Sequence, residues 1–141
     1  MKKLFILFLL LISLLFSCKV SNDFDLSKEE ANKFETIYDL VSPYNATVVE
    51  YFGPWCPRCL EIKDILTEFH KDNPTVKIFT INCEEDYNRK LVPFDFEFYP
   101  YIVIFQGDIP VFKKEGKMTL NELNENIIKA TKKEIVYVKT N

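Results

Sequence analysis

Two cysteines separated by two residues, Cys56 and Cys59, are the feature of this sequence that most clearly predicts chemistry. The apolar segment 46–52 before them is typical of a buried strand, and the segment 60–69 after them has helical periodicity. The first cysteine of such a junction lies at the helix N-terminus, where unpaired N–H groups and the helix dipole stabilise a thiolate. The second sulfur lies one turn further on, within reach of a disulfide. The pattern therefore predicts a redox-active dithiol.

The two sulfurs have different expected roles. Cys56 is the more exposed one in this geometry, so we expect it to attack a substrate disulfide, and we expect Cys59 to resolve the mixed disulfide. Pro57 suits the first helical position, where its missing N–H is harmless. Arg58 places a positive charge beside Cys56, which favours the thiolate and makes the pair more oxidising. The alternative for Arg58 is a solvated surface charge, screened within about 10 Å.

The residues around the dithiol resemble a known family. The segment 49–59, with Trp55 directly before the first cysteine and Glu50 six residues before it, resembles the strand and active-site segment of the thioredoxin superfamily, closest to the protein disulfide isomerase type. The segment 99–107 resembles the cis-proline segment of that family and the strand after it. The resemblance implies an α/β fold of the thioredoxin-like type, a mixed central β-sheet flanked by helices on both faces. It also implies thiol–disulfide oxidoreductase activity.

Glu50 matches the buried acidic residue of this family. A carboxyl in an apolar strand beneath the cysteines should have a raised pKa and is suited to exchange a proton with Cys59. Isomerase-type members often carry a lysine partner on the neighbouring strand, but by register that position is Thr80 here, which argues against the same ion pair. The alternative is a solvent-facing Glu50, which the apolar residues on both sides disfavour.

Trp55, Tyr99 and Pro100 are the predicted substrate-binding residues. The resemblance implies a cis bond before Pro100, which would leave the backbone groups of Tyr99 free to pair with an extended substrate as an added strand. Just upstream, three aromatic residues alternate with acidic ones: Phe94, Phe96 and Phe98. We expect these aromatics to cover the sheet, and an aromatic substrate surface is the alternative.

The first seventeen residues are typical of a secretory leader. Lys2 and Lys3 precede an apolar segment, 4–16, that is too short to span a membrane comfortably. The segment 15–18 resembles a bacterial lipobox, in which Cys18 carries the lipid and becomes the mature N-terminus. The alternative is ordinary secretion with Cys18 as a spare thiol. We therefore expect an extracytoplasmic lipoprotein, anchored at the periplasmic or cell-surface face, where disulfides persist.

The remaining cysteine and the net charge argue against a metal site and against nucleic-acid binding. Cys83 follows an apolar strand and is expected to be a single buried thiol. A zinc or copper site is disfavoured because only Cys83 and His70 remain as further ligands and there is no second Cys-x-x-Cys. A net charge of −3 gives no basic patch for nucleic acid. We expect no cofactor beyond the Cys56–Cys59 disulfide and the lipid, and a monomer whose partners are protein thiols and disulfides and a membrane redox protein.

The chain of 141 residues suits one modest domain. We predict a signal peptide at 1–17, a lipid-anchored tether at 18–25, a thioredoxin-like domain at 26–133 and a C-terminal tail at 134–141. Within the domain, capping boxes predict one helix from 27 to 41 and another starting at 119. The predicted function is disulfide reduction, formation or exchange in protein substrates. The alternative is a non-catalytic binding or chaperone module that holds extended polypeptides.

Overall fold

Four strands and five helices make up the part of the chain that this computed structural model describes, residues 24–138, with side chains through residue 131. In chain order the elements are α1 (Lys28–Ala31), α2 (Ile37–Val41), β1 (Thr47–Phe52), α3 (Pro57–Asp72), β2 (Lys77–Asn82), a 3₁₀ helix (Asp86–Leu91), β3 (Tyr101–Gln106), β4 (Ile109–Glu115) and α4 (Leu120–Val138).

The strands form one mixed sheet of order β2-β1-β3-β4. Strand β1 runs parallel to β2 and antiparallel to β3, and β4 pairs antiparallel with β3. Every residue of β1 is buried, as expected for a central strand covered on both faces. Strand β4 is at the edge and contains Pro110, which lacks the N–H that a central strand would need.

Side chains of the sheet alternate between two hydrophobic layers. One layer contains Tyr51 and Phe105 and packs against α2 and the end of the 3₁₀ helix. The other contains Val48 and Ile104 and packs against α3 and α4. Helices therefore cover both faces, which confirms the predicted thioredoxin-like α/β architecture. By the same alternation, Glu50 lies on the face that α3 covers.

The helix predicted from residue 27 to 41 is wrong as a single element. It ends at Ala31, and a second helix begins after Thr36, whose hydroxyl accepts a hydrogen bond from the Asp39 N–H at 3.3 Å. The Asp39 carboxylate in turn accepts from the Thr36 N–H at 2.9 Å, so a second capping box starts a new helix. Ile37 is fully buried after this break.

The described range includes parts of the predicted tether at one end and of the predicted C-terminal tail at the other. Helix α4 runs to Val138, so helical backbone extends into the segment predicted as a tail. At the other end, Asp25, the last residue of the predicted tether, forms a single parallel bridge with Thr80. The leader and Cys18 lie outside the described residues. Within 24–138, none of the helices has the length and apolar character needed to cross a bilayer.

Candidate active site

Cys56 and Cys59 sit at the start of α3, directly after the loop that follows β1. Cys56 is the N-cap residue, and its Sγ accepts a hydrogen bond from the Cys59 N–H at 3.3 Å. The two residues form a disulfide, with their Cα atoms 5.4 Å apart. Pro57 occupies the first turn, where a missing N–H leaves no bond unmade. The structure therefore brings both sulfurs to the helix N-terminus, as the sequence predicted.

The surroundings of the two sulfurs differ. Cys56 is 7% exposed and Cys59 is 2% exposed, so the first sulfur lies nearer the surface. The Arg58 side chain is exposed to solvent, and its role in tuning the redox behaviour of the cysteine pair stays a prediction. Phe52 and both cysteines form a small buried cluster to which Tyr99 adds its ring. The dithiol thus lies at the boundary between an apolar floor and open solvent.

An exposed tryptophan flanks the dithiol. Trp55 is 66% exposed, and its ring meets Tyr99 edge to face with centroids 5.5 Å apart. A Cβ at Gly53 would come within 2.9 Å of the indole, so glycine is needed for this close approach. The Tyr99–Pro100 bond is cis, and Pro100 itself is buried. The structure therefore places Tyr99, the residue before Pro100, against both Trp55 and the cysteine cluster, and the substrate-binding role of the three residues stays a prediction.

The aromatic segment upstream of Tyr99 divides in two. Phe94 and Phe96 pack against Tyr51 and Tyr101, with the Phe96 and Tyr101 rings stacked 4.5 Å apart. These two cover the sheet as expected. Phe98 is 61% exposed because the chain bends here instead of continuing as a strand, so the strict alternation is lost.

Glu50 is fully buried in β1, on the face that α3 covers. Within the described range, neither of its carboxylate oxygens has a hydrogen-bond partner. Burial raises the pKa of Glu50 to about 8, while the positive charge of Lys63 opposes this rise and the negative charge of Asp25 adds to it. Its partner across the sheet is Thr80, the register expected from the sequence. A carboxyl with such a pKa holds its proton at neutral pH and can exchange it with a neighbouring group.

Sequence reasoning missed the two charged residues that surround Glu50. Lys63 is four residues after Cys59, one helical turn along α3, so its spacing did carry a signal. Asp25 gave no such signal, because only the fold brings it to Thr80. Lys63 and Asp25 form a salt bridge with a 3.2 Å separation.

Cys83 lies near this site as a free, half-buried thiol. Its N–H donates to the Phe52 carbonyl at 2.9 Å, and burial raises its pKa. It borders a surface groove with Tyr99 and Arg89. Between residues 24 and 138, no three His, Cys, Asp or Glu side chains are grouped so that they could hold a metal ion.

A dithiol at the N-terminus of the helix that follows the central strand of a mixed sheet, above a buried carboxyl, defines a thioredoxin-like redox domain. The family model for thioredoxin matches residues 26–129, so this chain belongs to the thioredoxin family.

Individual relatives agree with this assignment. The chain is 30% identical over 95 residues to a protein disulfide-isomerase from Datisca glomerata, a match that covers 62% of this chain and 17% of that protein. Thioredoxin f2 of Chlamydomonas reinhardtii is 19% identical, with a TM-score of 0.59 over 74% of this chain and 92% of that one. Oxidized thioredoxin O2 of Arabidopsis thaliana is 15% identical, with a TM-score of 0.60 over 75% and 91%. At these identities the two structures show the shared fold.

Proposed function

We propose that the protein is an extracytoplasmic thiol–disulfide oxidoreductase that acts on protein substrates through Cys56 and Cys59. The observation that carries the proposal is the placement of the Cys56 sulfur as N-cap of α3, within disulfide distance of Cys59. A thiolate at this position is stabilised by the helix terminus, so it can readily attack a disulfide or act as the leaving group of a mixed disulfide.

The reaction proceeds by two exchanges. The Cys56 thiolate attacks one sulfur of a substrate disulfide, forming a mixed disulfide and releasing the other substrate sulfur as a thiolate that takes up a proton. Cys59 then loses its proton and attacks the Cys56 sulfur, which releases the second substrate thiol. Two electrons pass to the substrate, and the reverse sequence oxidises it. Glu50 is the group proposed to take the proton from Cys59 and return it.

Trp55, Tyr99 and Pro100 are proposed to hold the substrate beside Cys56. Trp55 offers an exposed aromatic face, and its contact with Tyr99 makes a continuous surface next to the dithiol. Aromatic side chains give large contact areas with few rotatable bonds. An extended substrate segment is expected to lie along this surface with its cysteine over Cys56.

The location is proposed from the leader. The segment 15–18 would direct lipid to Cys18, and the short segment between Cys18 and Asp25 would keep the domain close to a membrane. Substrates and the redox partner would then be proteins at that membrane surface, in a compartment where disulfides persist.

Trapping of mixed disulfides tests the activity. A Cys59→Ser variant should accumulate covalent complexes with a disulfide-containing protein such as insulin, because the resolving thiol is gone. Cys56→Ser should accumulate none, and Cys83→Ser should behave as the parent. Equal trapping by the Cys56→Ser and Cys59→Ser variants, or trapping by neither, would refute the proposed roles.

A non-catalytic binding or chaperone module is the second candidate, favoured by two exposed aromatic side chains, one directly before Cys56 and one directly before Tyr99. Trp55 is 66% exposed and Phe98 is 61% exposed. If holding is the function, a protein with both Cys56 and Cys59 changed to Ser should suppress aggregation of an unfolded client as well as the parent does. If that variant neither traps nor turns over disulfides and also fails to suppress aggregation, the result supports the oxidoreductase.

A further inference from the structure

An ion pair lies beside the buried carboxyl, on the same face of the sheet. Lys63 Nζ is 3.2 Å from Asp25 Oδ1 and 3.5 Å from Oδ2. The Lys63 side chain is 16% exposed and that of Asp25 is 47% exposed, so the pair lies where the protein interior meets solvent. A charge in such surroundings acts on its neighbours more strongly than one in water.

The backbone fixes the acidic partner in this pair. The Thr80 N–H donates to the Phe24 carbonyl at 2.7 Å, and the Leu26 N–H donates to the Thr80 carbonyl at 3.0 Å. The Thr80 hydroxyl also donates to the Asp25 carboxylate. Because Thr80 is the direct partner of Glu50 on β2, these bonds hold Asp25 at the strand next to the buried carboxyl.

Helix α3 and the floor of the redox centre fix the basic partner. Lys63 follows Cys59 by one helical turn, and its Nζ lies 4.5 Å from the centroid of the Phe52 ring. Phe52 itself packs against both cysteines. A cation over an aromatic face is stabilised there. Lys63 is thus held between the floor of the dithiol and Asp25.

We propose that Lys63, oriented by Asp25, is a positioning residue that controls the protonation of Glu50 and so the transfer of the Cys59 proton. The proposal rests on the proposed function and deepens it. Among the described residues, the charged groups that act on Glu50 are Lys63 from α3 and Asp25 from the N-terminal bridge. Its strand partners are uncharged, Thr80 on β2 and Ile102 on β3.

The two charges act in opposite directions. Burial is the main cause of the raised pKa of Glu50, Lys63 lowers that pKa, and Asp25 raises it by less than Lys63 lowers it. In this chain the position beside Glu50 on β2 is Thr80, and the lysine comes from α3 instead. Without Lys63, the carboxyl would stay protonated to higher pH and would accept the Cys59 proton less readily.

Infrared difference titration of the oxidised protein tests this directly. The C=O stretch of the protonated Glu50 carboxyl is assigned by its loss in Glu50→Gln and followed against pH. Lys63→Met should raise the midpoint, and Asp25→Asn should lower it. Each shift should be on the order of one pH unit, as for a charge about 10 Å away at an effective dielectric near 20. The double variant should fall between the single variants and above the parent.

Two control variants keep the test specific. Lys63→Arg retains the charge and should titrate within a few tenths of a pH unit of the parent, as should Lys71→Met, an exposed lysine of the same helix. Shifts in the same direction for Lys63→Met and Asp25→Asn, or no shift in Lys63→Met, would overturn the inference. The titration needs no substrate, so its failure is distinct from failure of the trapping assay, which bears on the proposed function.

Discussion

Replacing Glu50 by Gln should remove a pH-dependent loss of stability. The carboxyl is fully buried without a hydrogen-bond partner among residues 24–138, and burial raises its pKa from 4.5 to about 8. Below pH 4.5 the group is protonated in both the folded and the unfolded state. Between pH 4.5 and 8 the unfolded chain releases this proton while the folded protein keeps it, so the free energy of unfolding falls as pH rises.

The size of the effect follows from the two pKa values. A difference of about 3.5 pH units at about 1.4 kcal/mol per unit corresponds to roughly 5 kcal/mol, reached above pH 8. Glu50→Gln carries no titrating proton, so its stability relative to the parent should grow by this amount between about pH 4 and pH 9.

Urea denaturation of the oxidised proteins at several pH values gives this difference, and other titrating groups cancel because both proteins share them. Glu68→Gln, an exposed glutamate on α3, is the matched control and should stay within about 0.5 kcal/mol of the parent throughout. A difference between Glu50→Gln and the parent that stays constant from about pH 4 to pH 9 would refute the assignment of Glu50 as a buried, protonated carboxyl.

Three further predictions concern other parts of the chain. At limiting reagent, an alkylating agent should modify the reduced protein at Cys56 before Cys59 and Cys83, which peptide mass mapping would show, and faster labelling at either of the others would contradict the helix N-terminus argument. Tyr51→Phe should lower the free energy of unfolding by about 1 kcal/mol, because its buried hydroxyl donates to a 3₁₀-helix carbonyl at 2.9 Å; an unchanged denaturation midpoint would contradict this. The mature protein should begin at Cys18 and carry a diacylglyceryl group; an intact mass equal to an unmodified chain would exclude the anchor.

Local signals in the sequence were sufficient for the redox centre and most of the sheet. The Cys-x-x-Cys motif between an apolar strand and an amphipathic helix fixed the position of both sulfurs, because strand, cap and helix are set by neighbouring residues. Pro110 is a local signal for the edge position of β4, because it lacks the N–H that a central strand would need. The register that puts Thr80 beside Glu50 also followed from the sequence.

Two features escaped sequence reasoning for different physical reasons. The break between α1 and α2 had a local signal, the second capping box of Thr36 and Asp39, which the apolar periodicity around it obscured. The contact of Asp25 with Lys63 had none on the acidic side, because 38 residues separate the partners and only the sheet brings them together. Charges around a buried carboxyl are a property of the fold, and they adjust a pKa that burial has already raised.

Catalysed reduction of a protein disulfide is the most direct test of the central claim. The parent protein, supplied with dithiothreitol, should accelerate the reduction of insulin well above the uncatalysed rate, and Cys56→Ser should reduce it no faster than dithiothreitol alone. Cys83→Ser should retain the parent rate. A parent protein that gives no acceleration, or a Cys56→Ser variant as active as the parent, would contradict the assignment of Cys56 and Cys59 as a catalytic dithiol.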